Sequence, residues 1–411
     1  MTAAASARSF VTPRRAGLHV VVVTLMALAV GAAGVPAHAE DREFLWGVSS
    51  SGFQSEGASP DSNWSRYAAS ARHEPVGTAV DFRHRYREDI ARAADLGAEV
   101  YRVSVEWARI QPAPGHWDET ELGYYDDVIA AIREFGMTPM ITLDHWVYPG
   151  WIADRGGWAY PGMVDAWLAH ADAVAARYAG NGTLWVTVNE PSAYVWQEVS
   201  NGGLAAGEAP MMFDRLVEAH RGAYETIHRY DPRAQVTSNA AYIPGAAPYL
   251  DTWFLDRVRD RLDFVGVDYY YGVTPDNLTA VNAAIERPYA VTPHPAGLYD
   301  ALMDYTRRFP GMPLYVVENG MPTADGAPRA DGWTRSRHLQ EHVTQMVRAI
   351  ADGAPVFGYN YWSITDNYEW GSYEPRFGLY TVDVRTDPAL TRRPTDGVDA
   401  YREIITETRV R

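Results

Sequence analysis

The run DETELGYYDDVIAAIREFGMTPMITLDHW, residues 118–146, holds a helix and a strand back to back. Asp118 stands at an N-cap position, Glu121 follows three residues on, and Gly136 is placed to end the helix. Leu122, Tyr125, Ile129, Ile132 and Phe135 recur at spacings of three and four, which predicts one buried face. TPMITLDHW then reads as a strand that ends on Asp144, His145 and Trp146. The same unit recurs along the chain: residues 85–97 lead into EVYRVSVEW, 163–180 into LWVTVNEP, and 213–230 into QVTSNAA. It continues with TWFLDRVRDR (252–261) into LDFVGVDYY, 297–309 into PLYVVENG, and 337–353 into VFGYNYWS. With FLWGVSSS (44–51) at the start there are eight strands, and residues 397–409 supply a closing helix.

Strands that alternate with helices predict a parallel sheet, and strands apolar nearly throughout are those buried on both faces. Eight such units in one chain of 411 residues predict an α/β fold, a single (β/α)8 TIM barrel. No composition shift or linker marks a second domain. The first 39 residues are set apart from this fold. Arg8, Arg14 and Arg15 precede the apolar run LHVVVVTLMALAVG, and Ala37–His38–Ala39 offers small residues for cleavage, the pattern of a signal peptide. Residues 1–39 are therefore expected to be removed on export, leaving 40–411 as the catalytic domain, secreted and with no stable membrane span. The Arg14–Arg15 pair leaves twin-arginine export open.

A formal charge of −16 argues against nucleic acid and anionic membranes as partners, since both require clustered Lys and Arg. The chain has no cysteine, so no disulfide forms. Its 12 His make no HxH or HExxH pattern, so no metal site is expected. Neither a Gly-rich phosphate loop nor GxSxG follows a strand. Fourteen Trp and 26 Tyr are many for this length, and aromatic faces that fill a core can also bind sugars.

In such a barrel the active site lies at the C-terminal ends of the strands. Polar residues gather there: Gln54 after strand one, Arg102 and Glu106 on strand two, and Asp144 and His145 on strand three. Asn189 and Glu190 close strand four, Asp268 and Tyr270 strand six, Glu318 strand seven, and Trp362 strand eight. Two carboxylates facing each other across a barrel mouth suit glycoside hydrolysis, one attacking the anomeric carbon and the other donating a proton to the leaving oxygen. Any single strand-end Glu is as readily a salt-bridge partner. Two of them on apolar strands, each beside an Asn, favour catalysis.

FLWGVSSSGFQSEG, YRVSVEWARIQP, DHW, TVNEP, VENG and YWSITDNYEWGSYEPRFGLYTVD occur in this order, and the chain resembles glycoside hydrolase family 1, the β-glucosidase family, from about Phe44 to Asp383. The resemblance implies that Glu190 is the acid/base and Glu318 the nucleophile. It implies that Asn189 bonds the sugar 2-hydroxyl, that Gln54, His145, Glu369 and Trp370 hold the other hydroxyls, and that Trp362 floors the sugar subsite. Arg102 and Tyr270 would support the nucleophile as an anion. Against these roles stand plainer ones: Trp362 and Trp370 as barrel-cap core, His145 as a satisfied core histidine, and Arg102 paired with Glu106.

Family members that cleave 6-phosphosugars replace the glutamate of NYEW and add a phosphate-binding Lys; here Glu369 stands and SYEPRFG has no Lys. The thioglucosidase branch replaces the acid of NEP with Gln; here it is Glu190. The resemblance thus implies a small-molecule β-glycoside substrate, unphosphorylated and O-linked, cleaved with retention and without a cofactor. Two departures stand out. DYY puts Asp268 where the family has an Asn, a third carboxylate that would raise the acid's pKa or bind another substrate group. The stretch between Glu190 and Asp268 is short, which predicts trimmed loops and an open leaving-group side able to admit a bulky or lipidic aglycone. A transglycosylase on the same residues and a non-catalytic carbohydrate-binding protein remain the alternatives. Asn63, Asn181 and Asn277 lie in N-x-S/T sequons.

Overall fold

The computed structural model describes residues 43–271 and 287–409, so the expected signal peptide and the Asn277 sequon lie outside the described residues. Eight strand positions form the barrel: β1 Leu45–Ser49, β2 Val100–Ser104, β3 Thr138–Asp144, β4 Leu184–Val188, β5, β6 Val265–Asp268, β7 Leu314–Asn319 and β8 Val356–Trp362. β5 is in two segments, Gln235–Thr237 and Asn239–Ala241. Every barrel pairing is parallel, in chain order from β1 to β4, and β8 returns to β1. The first half of β5 pairs with β4 and the second half with β6, so the sheet closes through one strand that changes partner at Ser238. Each expected strand is present.

The long helices around it are α1 Phe82–Asp95, α2 Glu119–Glu134, α3 Met163–Tyr178, α4 Pro191–Asn201, α5 Ala209–Tyr230, α6 Ala296–Arg308, α7 Arg335–Ala351 and α8 Asp396–Arg409. In α2 the Asp118 side chain accepts from the backbone N–H groups of Thr120 and Glu121, and Gly136 follows with φ of 80°. Leu122, Tyr125, Ile129 and Ile132 are buried as the spacing predicts, whereas Phe135 lies exposed at the helix C-cap. α8 seals the β1–β8 seam: Tyr401 donates to the Gly47 carbonyl at 2.6 Å, and Trp46 donates its indole N–H to Thr408 at 2.8 Å. No helix among the described residues is long and apolar enough to cross a membrane.

Two local readings are corrected. Residues 252–261 form no α-helix but two 3₁₀ turns, Asp251–Trp253 and Leu255–Arg261. The buried pair Leu255 and Val258 is spaced by three, the repeat of a 3₁₀ helix, and this tight connector suffices for the short crossover from β5 to β6. Helix α4, directly after NEP, was not anticipated; Pro191 opens it, where a missing N–H costs nothing.

The barrel interior is filled in layers. Val100, Met140, Leu184, Val186, Phe264, Tyr315, Val317 and Phe357 form an apolar plug at the N-terminal end of the strands. Above it the side chains turn polar: Tyr315 donates to Asn360 at 2.7 Å, and Asn360 donates to Ser49 at 3.2 Å. Gly47 is required by this crowding, because a Cβ there would lie 2.2 Å from the Asn360 side-chain oxygen and 2.7 Å from the Val100 carbonyl. Gly→Ala within a strand ordinarily gains stability through the unfolded chain. Here the sign reverses. Gly47→Ala is expected to cost about 1–3 kcal/mol by overpacking, read as a lower urea midpoint with unchanged slope; a midpoint at or above that of the native chain would contradict this account of the layer.

Candidate active site

Arg102 rises from β2 into the centre of the barrel with no solvent exposure. Its three nitrogens are all engaged: one pairs with Glu318 Oε1, Nη2 donates to Asn189 Oδ1 at 2.6 Å, and Nε donates to Thr142 Oγ1 at 2.9 Å. The other oxygen of Glu318 accepts from the Tyr270 hydroxyl at 2.6 Å. Arg102 does not pair with Glu106, which lies beyond the end of β2 and accepts instead from Ser104 at 2.7 Å. Glu106 belongs to a separate buried group with Glu56 and Arg109, where burial pushes its carboxyl up to about 8. Asp144 is structural too, held by the Trp146 backbone N–H and the Trp167 indole, both at 2.9 Å.

Strand β4 ends on polar groups because the backbone turns there. Glu190 has φ of 40°, in the left-handed region, and donates its N–H to the Asn239 carbonyl at 3.1 Å before α4 begins. A left-handed residue other than Gly costs on the order of 1–3 kcal/mol, and such strain collects at functional sites. Asn189 Oδ1 is taken by Arg102 and by Asn239 Nδ2 at 2.7 Å, and its amide nitrogen meets no acceptor among the described residues. Asn189, Glu190, Asp268 and Glu318 line one cavity of about 640 Å³. One oxygen each of Glu190, Asp268 and Glu318 lies within 4.8 Å of the others. Burial first, and then the charge of Glu318, pushes the Glu190 carboxyl up to about 8, against an opposing pull from Arg102 and a hydrogen bond with Asp268. Asp268 is raised well above the carboxylate range, by burial and then by Glu318 and Glu190.

The opposite wall is aromatic. His145 stacks between Trp362 (centroids 5.8 Å apart, planes at 16°) and Trp370 (5.7 Å, 15°). Its Nδ1 is buried without a protein partner, and burial, reinforced by Arg102, keeps the ring neutral. It is therefore no satisfied core histidine. Trp362 donates its indole N–H to Glu369 Oε1 at 3.2 Å, and burial pushes Glu369 up to about 8. Both tryptophans line the cavity as well as capping the barrel. Gln54 does not reach the wall: it is fully buried behind Glu369, accepting from Ser51 at 2.7 Å and donating to Glu369 at 3.5 Å.

Residues absent from the sequence reading complete the cavity. Asn239, which opens the second segment of β5, bridges Asn189 and Asp268 through its amide nitrogen. Its only signal is a polar residue inside QVTSNAA. Trp196 on α4 lines the mouth with 42% of its surface exposed, on the side of the helix away from buried Tyr194 and Glu198. Glu198 moors α4 by accepting from Tyr148 at 2.7 Å, Asn63 at 3.0 Å and Tyr67 at 3.2 Å. Asn63 is thereby buried and fully bonded, unfit as a glycan acceptor.

The profile of Glycosyl hydrolase family 1 matches residues 38–251 and 220–410. The chain belongs to Glycosyl hydrolase family 1, and it is a glycoside hydrolase. Among curated relatives, β-glucosidase A of Thermotoga maritima is 26% identical over 427 residues, spanning 85% of this chain and 94% of that one. Thermostable β-glucosidase B of Thermobispora bispora is 28% identical over 432 residues, spanning 88% and 89%. Among solved structures, an apo β-glucosidase designated 1317 superposes with a TM-score of 0.75 at 28% identity, covering 88% of this chain and 98% of that one. The eight-stranded barrel and the family are thus the ones the motifs implied. In this family-1 chain Tyr270→Phe removes one of the two donors to Glu318. Because a hydrogen bond to a charged group contributes roughly 1.5–3 kcal/mol, kcat/KM should fall about 10- to 100-fold while Tm moves little. Steady-state kinetics beside a thermal melt checks both, and unchanged kcat/KM would remove Tyr270 from the site's support.

Proposed function

We propose that this chain is an exported, retaining exo-β-glycosidase acting chiefly on unphosphorylated β-glucosides. The observation that carries the reading is the closeness of Glu190 and Glu318, with one oxygen of each within 4.8 Å. Retaining enzymes place the two carboxyl groups about 5–5.5 Å apart, and inverting enzymes about 6.5–9.5 Å apart to leave room for water. Glu318 attacks the anomeric carbon, forming an ester bond as the glycosidic bond breaks, while Glu190 gives its proton to the departing oxygen. Glu190, now a carboxylate, takes a proton from water, whose oxygen displaces Glu318 and releases the sugar with its original anomeric configuration. Arg102 and Tyr270 serve the carboxylate form of Glu318, and the crowded, half-buried setting of Glu190 keeps it an acid: two carboxyl groups with separated roles.

The free amide nitrogen of Asn189 suits the sugar 2-hydroxyl, and Glu369, His145, Trp362 and Trp370 offer hydrogen bonds and a flat apolar face for the rest of the ring. Exposed Trp196 at the mouth, on the leaving-group side, supports an aglycone with a sizeable apolar surface. Export rests on the charged, apolar and small-residue pattern of residues 1–39.

The test is a screen of residues 40–411 against p-nitrophenyl β- and α-glycosides, with Glu318→Gln alongside. Release from the β-glucoside, reduced on the order of 10³-fold or more in the variant, is expected. NMR of the first-formed sugar should show the β-anomer; an α-anomer, the mark of inversion, would overturn the assigned roles. The pH profile follows from the raised acid. Glu190 stays protonated through neutrality, so kcat/KM holds to the alkaline side and falls as pH passes about 8. A fall beginning near pH 5 would show that its surroundings do not hold the proton.

A further inference from the structure

Asp268 is a carboxyl group with almost nothing to stabilise its charge. It is buried, its Oδ2 accepts from Asn239 Nδ2, and its Oδ1 has no donor. The groups facing it are Glu190 from the end of β4, Glu318 from β7, Tyr270 two residues on, Arg102 from β2, and Glu369 and His145 across the cavity. Arg102 alone is cationic, and its N–H groups are already turned to Glu318, Asn189 and Thr142. Tyr270 donates to Glu318, and His145 is neutral. A buried carboxylate with one oxygen unserved is costly, whereas a buried carboxylic acid needs only an acceptor for its single O–H. The Glu190 carboxyl, with an oxygen within 4.8 Å of one of Asp268, is the group placed to serve as that acceptor.

We propose that Asp268 is held as a neutral carboxylic acid whose O–H donates to Glu190, making it a positioning residue that steadies the acid/base in both of its forms. The inference rests on the role given to Glu190 above. Asn239 Nδ2 holds one oxygen of the Asp268 carboxyl, and the bond to Glu190 engages the other. When Glu190 has given its proton to the leaving oxygen, the Asp268 O–H faces a full negative charge and the hydrogen bond strengthens. Asp268 keeps its proton through the cycle, so nothing is added to or lost from the double displacement. The burial and the like charges that raise Asp268 maintain this neutral state.

The sign of one shift decides the matter. Removing a neutral donor destabilises the Glu190 carboxylate and moves the alkaline limb of kcat/KM upward. Removing an anion stabilises that carboxylate and moves the limb downward. Asp268→Ala is expected to move it up by roughly one to two pH units, and Asp268→Asn, whose amide is a weaker donor, by less. A downward move, or no move in either variant, overturns the proposal.

Infrared titration of unmodified protein carrying ¹³C in its Asp carboxyls gives a reading that requires no activity. A protonated Asp band should persist above pH 8, beyond Asp251 and Asp144, whose carboxyls are pushed up to about 6 and about 7 by burial. Its absence in labelled Asp268→Asn identifies it. Loss of every protonated Asp band by pH 8 in the unmodified protein overturns the proposal on its own. Should no β-glycoside be cleaved at any pH, the functional reading fails, while the infrared band still decides the state of Asp268.

Discussion

The guanidinium of Arg102 is the interaction on which the rest of the site depends. A fully buried cation is costly to desolvate, by several kcal/mol even after relaxation, and persists only where its hydrogen bonds are satisfied in good geometry. Here the partners come from three other strands: Thr142 on β3, Asn189 at the end of β4 and Glu318 on β7. One side chain therefore sets the relative height of four strand ends. It also marks the boundary inside the barrel, with the apolar plug of Val100, Met140 and Val186 below it and the acidic mouth above. Shortening Arg102 would leave Glu318 without its ion-pair partner and Asn189 without one of its two donors.

Charge then dictates protonation. Glu190, Asp268, Glu318, Glu369 and Glu374 line the cavity, and of the first four Arg102 is directed at one, Glu318. At close range in a medium poorer than water, the other three cannot all be anions without a large repulsive cost. Glu190 and Glu369 are each pushed up to about 8, with burial the largest cause in both. The site thus separates one carboxylate that is paired from neighbours that keep their protons. That division is what a nucleophile and a proton donor in one pocket require.

The barrel was legible because its period is redundant. Asp118, Glu121 and Gly136 bracket α2 chemically, and eight repeats of one unit leave little freedom of topology. What escaped the sequence was settled by tertiary contacts. Phe135 has the spacing of a core residue, yet the helix ends just before it and its side chain is left exposed at the C-cap. Residues 252–261 carry helix-forming side chains, but the short crossover they span is met by 3₁₀ turns. Gln54 follows β1 and is polar, as a substrate ligand should be, and only the fold shows Glu369 standing between it and the cavity. Asn239 is not legible in the sequence, because a lone Asn within a short strand carries no signal until its neighbours are known.

The two sides of the cavity are built on different principles. The sugar side rests on strand ends whose positions follow from barrel geometry and from Arg102, so little there can change without disturbing the chemistry. The side that we propose for the leaving group includes α4, which starts from the left-handed turn at Glu190 and is moored through Glu198 to Tyr148, Asn63 and Tyr67. These are neutral donors around a carboxyl that burial pushes up to about 7, a tether formed by hydrogen bonds alone. Because the mooring lies on the inner face of α4, its outer face, Trp196 and Gln197 included, is free to vary without moving the turn that aims Glu190. Leaving-group preference can therefore diverge on this frame while the pair of carboxyl groups stays fixed.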